Sequence, residues 1–103
     1  MVKVGWTLQA VDDIENIANF ISKDSYRYAQ IQVQRFFEVT LILETNAEFG
    51  RVVPELNNPT IREIILGTYR IIYRIVSNDR IDVLTVHHSK RLLGNNPLFK
   101  NKE

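Results

Sequence analysis

Residues 60–88 contain three strand-forming runs in succession: TIREIIL (60–66), YRIIYRIV (69–76) and RIDVLTVHH (80–88). Only Gly67-Thr68 and Ser77-Asn78-Asp79 separate them. Their β-branched and aromatic residues favour extended backbone. Connections this short make hairpins, so the three strands are consecutive and antiparallel. No other stretch restricts the architecture as much. A meander of this composition needs one face covered, and the rest of the chain has to supply the cover.

Residues 7–45 have the pattern of that cover. Thr7 sits at a helix N-cap position, and Asp12, Asp13 and Glu15 follow in the early turns, where the helix dipole favours them. Ala10, Ile14, Ile17, Ala18 and Ile21 repeat at helical spacing. SKDS ends this helix, and Ser25 caps a second that runs to about Thr45. Ala29, Val33, Phe36, Phe37, Thr40 and Leu43 mark its inner face. A turn this short makes the two helices antiparallel neighbours. VKVGW (2–6) reads as an opening strand, and NAEFGRVVPELNNPT, with Gly50, Pro54 and Pro59, reads as a connecting loop. The order is β-α-α-β-β-β, an α+β domain with the N-terminal helical hairpin on one face of an antiparallel sheet. Residues 1–103 form one domain, with 92–103 expected to be a loose tail.

The central strand carries a near-repeat, Tyr-Arg-Ile-Ile-Tyr-Arg-Ile. Alternation places Tyr69, Ile71, Tyr73 and Ile75 on one face and Arg70, Ile72, Arg74 and Val76 on the other. The tyrosine–isoleucine face suits the core beneath the helices. The second face, with Leu84 from the last strand, is expected to lie uncovered as a binding surface.

Charge supports looking there. Residues 1–50 hold four basic and seven acidic side chains, and residues 51–103 hold nine basic and five acidic, so the halves differ as −3 and +4. Six of the nine are arginines, planar donors matched to carboxylate and phosphate. The absence of cysteine removes disulfides and thiolate chemistry. The N-terminus lacks a signal-peptide pattern and no apolar run has membrane-spanning length, which points to a cytoplasmic protein with no membrane partner.

The candidate chemistry is sparse. His87 and His88 are neighbours in a strand and point to opposite faces, and without cysteine or a third histidine no metal is expected. His88, aligned with Arg91 in HHSKR, is the preferred functional histidine. For Arg70 and Arg74 the plain alternative is cross-strand pairing with Glu63 or Asp82. Arg62 reads as a solvated charge at a strand start. Glu55, in the loop, is either a general base or a solvent-exposed glutamate. No phosphate loop, nucleophile elbow or paired-carboxylate signature is present.

WTLQAVDDIENIANFIS, GRVVPEL, IREIILGTYRIIYRI and IDVLTVHHSKR together, in this order and spacing, resemble the RelE/ParE toxin superfamily, from about Trp6 to Arg91. Members are toxins of bacterial type II toxin–antitoxin (plasmid stabilisation) systems and share the β-α-α-β-β-β fold. GRVVPE and YRIIYRI are more similar to the ParE branch, whose members are implicated in poisoning DNA gyrase without catalysis. RelE-like members cleave mRNA on the ribosome. The resemblance implies a cognate antitoxin, a hetero-oligomer with it, and no cofactor. It places Arg70 at the superfamily's sheet arginine, and His88 and Arg91 on its His-x-x-Arg pattern. Three activities follow as alternatives. The chain binds gyrase through Arg51, Arg70, Arg74, His88 and Arg91; or it is a ribosome-dependent endoribonuclease using Glu55, Arg70, His88 and Arg91; or it only binds its antitoxin. The lysine-rich constellation of RelE ribonucleases is missing, since loop 46–60 holds only Arg51 as a cation.

Overall fold

The computed structural model describes residues 2–89. Arg91 and the expected tail at 92–103 lie outside the described residues. Strand β1 (Lys3–Trp6) leads into α1 (Leu8–Ser22) and α2 (Tyr26–Leu41). Strands β2 (Arg51–Val52), β3 (Ile61–Leu66), β4 (Tyr69–Ser77) and β5 (Arg80–His88) follow. This is the α+β order expected, with one addition: the connecting loop contains the two-residue strand β2.

Both helices begin where their caps are. Thr7 Oγ1 accepts from the Ala10 amide at 3.1 Å, and Ser25 Oγ accepts from the Tyr28 amide at 3.1 Å. The second helix stops at Leu41, short of Thr45, and tightens into a 3₁₀ turn over Ile42–Glu44. Thr40 and Thr45 accompany this, their hydroxyls donating back to the Phe37 and Ile42 carbonyls.

The sheet order is β1-β5-β4-β3-β2. It is antiparallel except at β1, which runs parallel to β5. Gly67, at φ +61°, makes the β3–β4 turn in the left-handed region that glycine tolerates. Ala10, Ile14, Phe36, Leu43, Ile64, Ile71, Tyr73, Ile81, Val83 and Val86 form the core between helices and sheet. Each large side chain there contributes roughly 1.5–3 kcal/mol of burial. Phe37, expected on the inner face of α2, is half exposed and packs its ring against Trp6 at 5.0 Å.

The opposite sheet face departs from expectation. Rather than lying uncovered, it carries a second small core in which Val53 and Ile72 are fully buried, with Leu56, Ile61 and Leu84 packed around them. The loop after β2 folds over the sheet and makes this cover. Arg70 is buried too, while Arg74 and Val76 at one end of that face, Ile65 across from Arg70, and Arg51 on β2 remain exposed.

One irregularity decides where the histidines go. Ile72 and Tyr73 are adjacent on β4, yet their partners on β5, Thr85 and Val83, are two residues apart, so Leu84 is the extra residue of a β-bulge. Helix α1 holds this bulge. Thr7 Oγ1 donates to the Leu84 carbonyl at 2.8 Å, and Asp13 accepts from the Val86 amide at 3.0 Å and from the Thr85 hydroxyl.

Candidate functional site

Glu63 is the centre of the cluster on the face opposite the helices. Its side chain is completely buried on β3, where a lone carboxylate would be untenable. Arg51 stands directly across on β2, and its Nε donates to Glu63 Oε2 at 2.6 Å. Arg70, on β4, reaches Glu63 diagonally, its Nε donating to Oε1 at 2.6 Å. The outer edge of the Arg70 guanidinium takes Glu55 in a fork: Nη1 lies 2.9 Å from Oε2 and Nη2 2.8 Å from Oε1. Two arginines and two glutamates thus form one chain of charge-assisted hydrogen bonds.

The electrostatics follow from this geometry. Hydrogen bonding to Arg70 outweighs partial burial and holds the Glu55 carboxyl down from 4.5 to about 2. The same contact with Glu55, opposed by burial and aided by Glu63, raises the Arg70 pKa. At neutral pH Glu55 is an ionised acceptor with little appetite for a proton, which makes it a poor general base.

The remaining candidates scatter. Arg74 is exposed at the far end of β4; its cross-strand neighbour Asp82 instead accepts from Arg80 at 3.1 Å. Among the described residues no carboxylate lies within ion-pair distance of Arg74. Arg62, expected to be solvated, is half-buried and donates to the Pro59 and Gly50 carbonyls, both at 3.0 Å. His88 pairs with Tyr69, not with Arg70, and meets that ring edge-on at 5.5 Å. It lies on the helix side of the sheet, in a cleft shared with Asp13, Asn16, Ile17 and Phe20. The buried His87 is the residue opposite Arg70. Simple alternation exchanges the two histidines because it cannot anticipate the Leu84 bulge.

Sequence reasoning used Glu63 only as a pairing partner and missed it as the hub. Its one visible signal is a glutamate inside the apolar strand IREIIL, a position that burial tolerates only with a cationic partner.

A helical hairpin on one sheet face, with an ion-paired arginine cluster on the other, defines a small α+β domain built around a protected charged site. Within that class, the chain belongs to the family of ParE toxins of type II toxin–antitoxin systems (parDE), whose model matches residues 4–93. Among solved structures it is similar to the chromosomal ParDE toxin–antitoxin system from P. aeruginosa, with TM-score 0.70 and 22% identity over 85% of this chain and 96% of that one. It is also similar to a YoeB/ParE toxin from Agrobacterium tumefaciens, with TM-score 0.57 and 19% identity over 84% and 98%. At these identities the structural likeness concerns the fold. No curated protein sequence matches the chain.

Proposed function

We propose that this ParE-family toxin inhibits DNA gyrase by direct binding in the cytoplasm and is neutralised by a cognate antitoxin in a hetero-oligomer. The observation that carries the reading is the state of Glu55. Attack by a ribose 2′-hydroxyl needs a base, an acid and a cation around one phosphate. Here the carboxylate is paired with Arg70 through two hydrogen bonds, with its pKa lowered to about 2. His88 faces the other way. A guanidinium platform that contacts protein carboxylates needs no proton transfer and fits this arrangement. Exposed Phe20, Tyr26 and Leu41 on the hairpin offer apolar contacts to an amphipathic antitoxin segment. No helix of the described residues is long and apolar enough to cross a membrane.

The ribonuclease reading retains one supporting observation: His87, opposite Arg70, puts a titratable group next to the cation. Purified toxin assayed in parallel for gyrase supercoiling and for primer extension on a translated reporter mRNA separates the two. Inhibited supercoiling with intact mRNA is the expected result. Cleavage at ribosomal A-site codons with normal supercoiling overturns the proposal. Antitoxin binding with neither activity leaves only an antitoxin-binding protein, which overturns it as well.

A further inference from the structure

The outward end of the Arg70 fork is already filled, by a residue of the chain itself. Glu55 meets Nη1 and Nη2 with both carboxylate oxygens, the paired geometry in which a guanidinium takes up any carboxylate. Oε1 of the buried Glu63 lies 2.6 Å from both Nε and Nη2 of Arg70, so the guanidinium keeps its aim whether Glu55 is there or not. The Glu55 side chain is 46% exposed.

The turn carrying Glu55 does not depend on the ion pair. Val53 is buried against Ile72 with Leu56 beside it. The Val53 amide donates to the Ile61 carbonyl, and the Leu56 and Asn57 amides donate to the Val53 carbonyl. Rotation about the side-chain torsions of Glu55 alone therefore vacates the fork, and an incoming carboxylate replaces the two hydrogen bonds that are lost. Beyond Glu63, Arg51 sets a second guanidinium whose side chain is 63% exposed.

We propose that Glu55 is a tethered stand-in for an acidic side chain of a protein partner, and that the partner binds by exchanging its own carboxylate for Glu55 on Arg70, with Arg51 receiving a neighbouring acid. This rests on the reading of the chain as a toxin that works through protein–protein contact. The exchange lowers apparent affinity by the fraction of time the fork is open. Nine basic against five acidic side chains in residues 51–103 draw an acidic segment to this half of the chain.

The test titrates the full-length toxin with an acetylated hexaglutamate peptide, following the Arg70 Nε–Hε NMR resonance and heat of binding. Glu55→Gln should bind about tenfold more tightly than the wild type, the scale set by a fork open roughly a tenth of the time. Glu15→Gln makes the same change in net charge on the exposed face of α1 and should bind like the wild type. Arg70→Lys in the Glu55→Gln background keeps the charge, loses the fork and should abolish the gain. Equal affinities for wild type and Glu55→Gln overturn the inference, as does an equal gain in Glu15→Gln. Tighter binding of a short RNA oligonucleotide than of the peptide by Glu55→Gln also overturns it, in favour of a phosphate ligand. Gyrase inhibition is scored separately. Inhibition without the peptide gain sinks this inference alone, and the gain without inhibition sinks only the choice of gyrase.

Discussion

The Tyr73 hydroxyl accepts a hydrogen bond from the Gly50 amide at 2.9 Å and donates one to the Ala47 carbonyl at 2.7 Å. A core side chain of β4 thereby fastens the loop that leads into β2, and β2 carries Arg51 to Glu63. Burial pushes the Tyr73 phenol pKa up, so the donor proton stays in place across the physiological range.

Tyr73→Phe keeps the ring and strands the Gly50 amide and Ala47 carbonyl. A loss of about 1–3 kcal/mol is expected in urea unfolding. Tyr73→Ala adds a cavity and should cost about 3–5 kcal/mol. Arg74→Ala, on the exposed end of the same strand, should stay within about 0.5 kcal/mol of wild type. Equal losses at Tyr73 and Arg74 would contradict the assignment of the two faces.

At Gly50 the limit is space. An added Cβ would lie 2.5 Å from the Glu63 carbonyl oxygen and 2.9 Å from the Tyr73 ring, and strand backbone cannot give way. Gly50→Ala should cost about 1–3 kcal/mol. Gly67→Ala meets no atom within 4 Å but must adopt φ +61°, which costs roughly 1–2 kcal/mol. Thermal melts of both variants give the comparison.

Glu63→Gln leaves two guanidinium groups facing a buried neutral amide. Because Arg70 keeps Glu55, the expected cost is about 3 kcal/mol, the low end for breaking a buried pair. Arg51→Ala should cost about 1 kcal/mol or less, since that side chain is largely in solvent. Near-equal chemical denaturation midpoints for the two variants would refute the central role of Glu63.

Glu55 gives a pH dependence with a defined sign. Its folded pKa, about 2, lies below the ordinary 4.5, so its contribution is fully present above pH 4.5. As pH falls from 4.5 towards 2, the unfolded chain takes up the proton first and the contribution is lost. Half exposure and screening limit it to about 1 kcal/mol. The advantage of wild type over Glu55→Gln in urea midpoints should be constant from pH 7 to 5 and shrink steadily below 4.5.

Growth arrest separates the roles of the cations. Arg70→Lys loses the planar fork while keeping the charge, and Arg91→Ala removes the charge; both should weaken arrest on induction. If the toxin acts by binding gyrase, His88→Gln should leave it unchanged, because binding alone transfers no proton. A folded His88→Gln protein that is harmless would count against a gyrase-binding toxin and restore His88 to a catalytic role, for which a loss of about 10²–10⁴-fold in mRNA cleavage is the matching observation.

Local chemistry was enough for the helices, the hairpins and the main core. Thr7 and Ser25 cap where their side chains reach the first free amides, helical spacing marks the faces of α1 and α2, and Gly67 marks a turn with positive φ. On the tyrosine–isoleucine face of β4, Ile71 and Tyr73 are buried and Tyr69 and Ile75 partly buried against the core, as alternation requires. What the sequence could not determine depends on contacts between residues far apart in the chain. Alternation with period two holds only while the ladder is regular, and the Leu84 bulge, tied to Thr7 and Asp13 of the distant N-terminal segment, exchanges His87 and His88 between faces. The apolar signal of Val53 and Leu56 is too short to read as structure, yet these side chains fold onto Ile72 and close a face that looked open. In doing so they bring Glu55 onto Arg70. Whether an arginine on a strand is a free hand or a held one depends on where a loop carboxylate lands, and that is decided by tertiary packing.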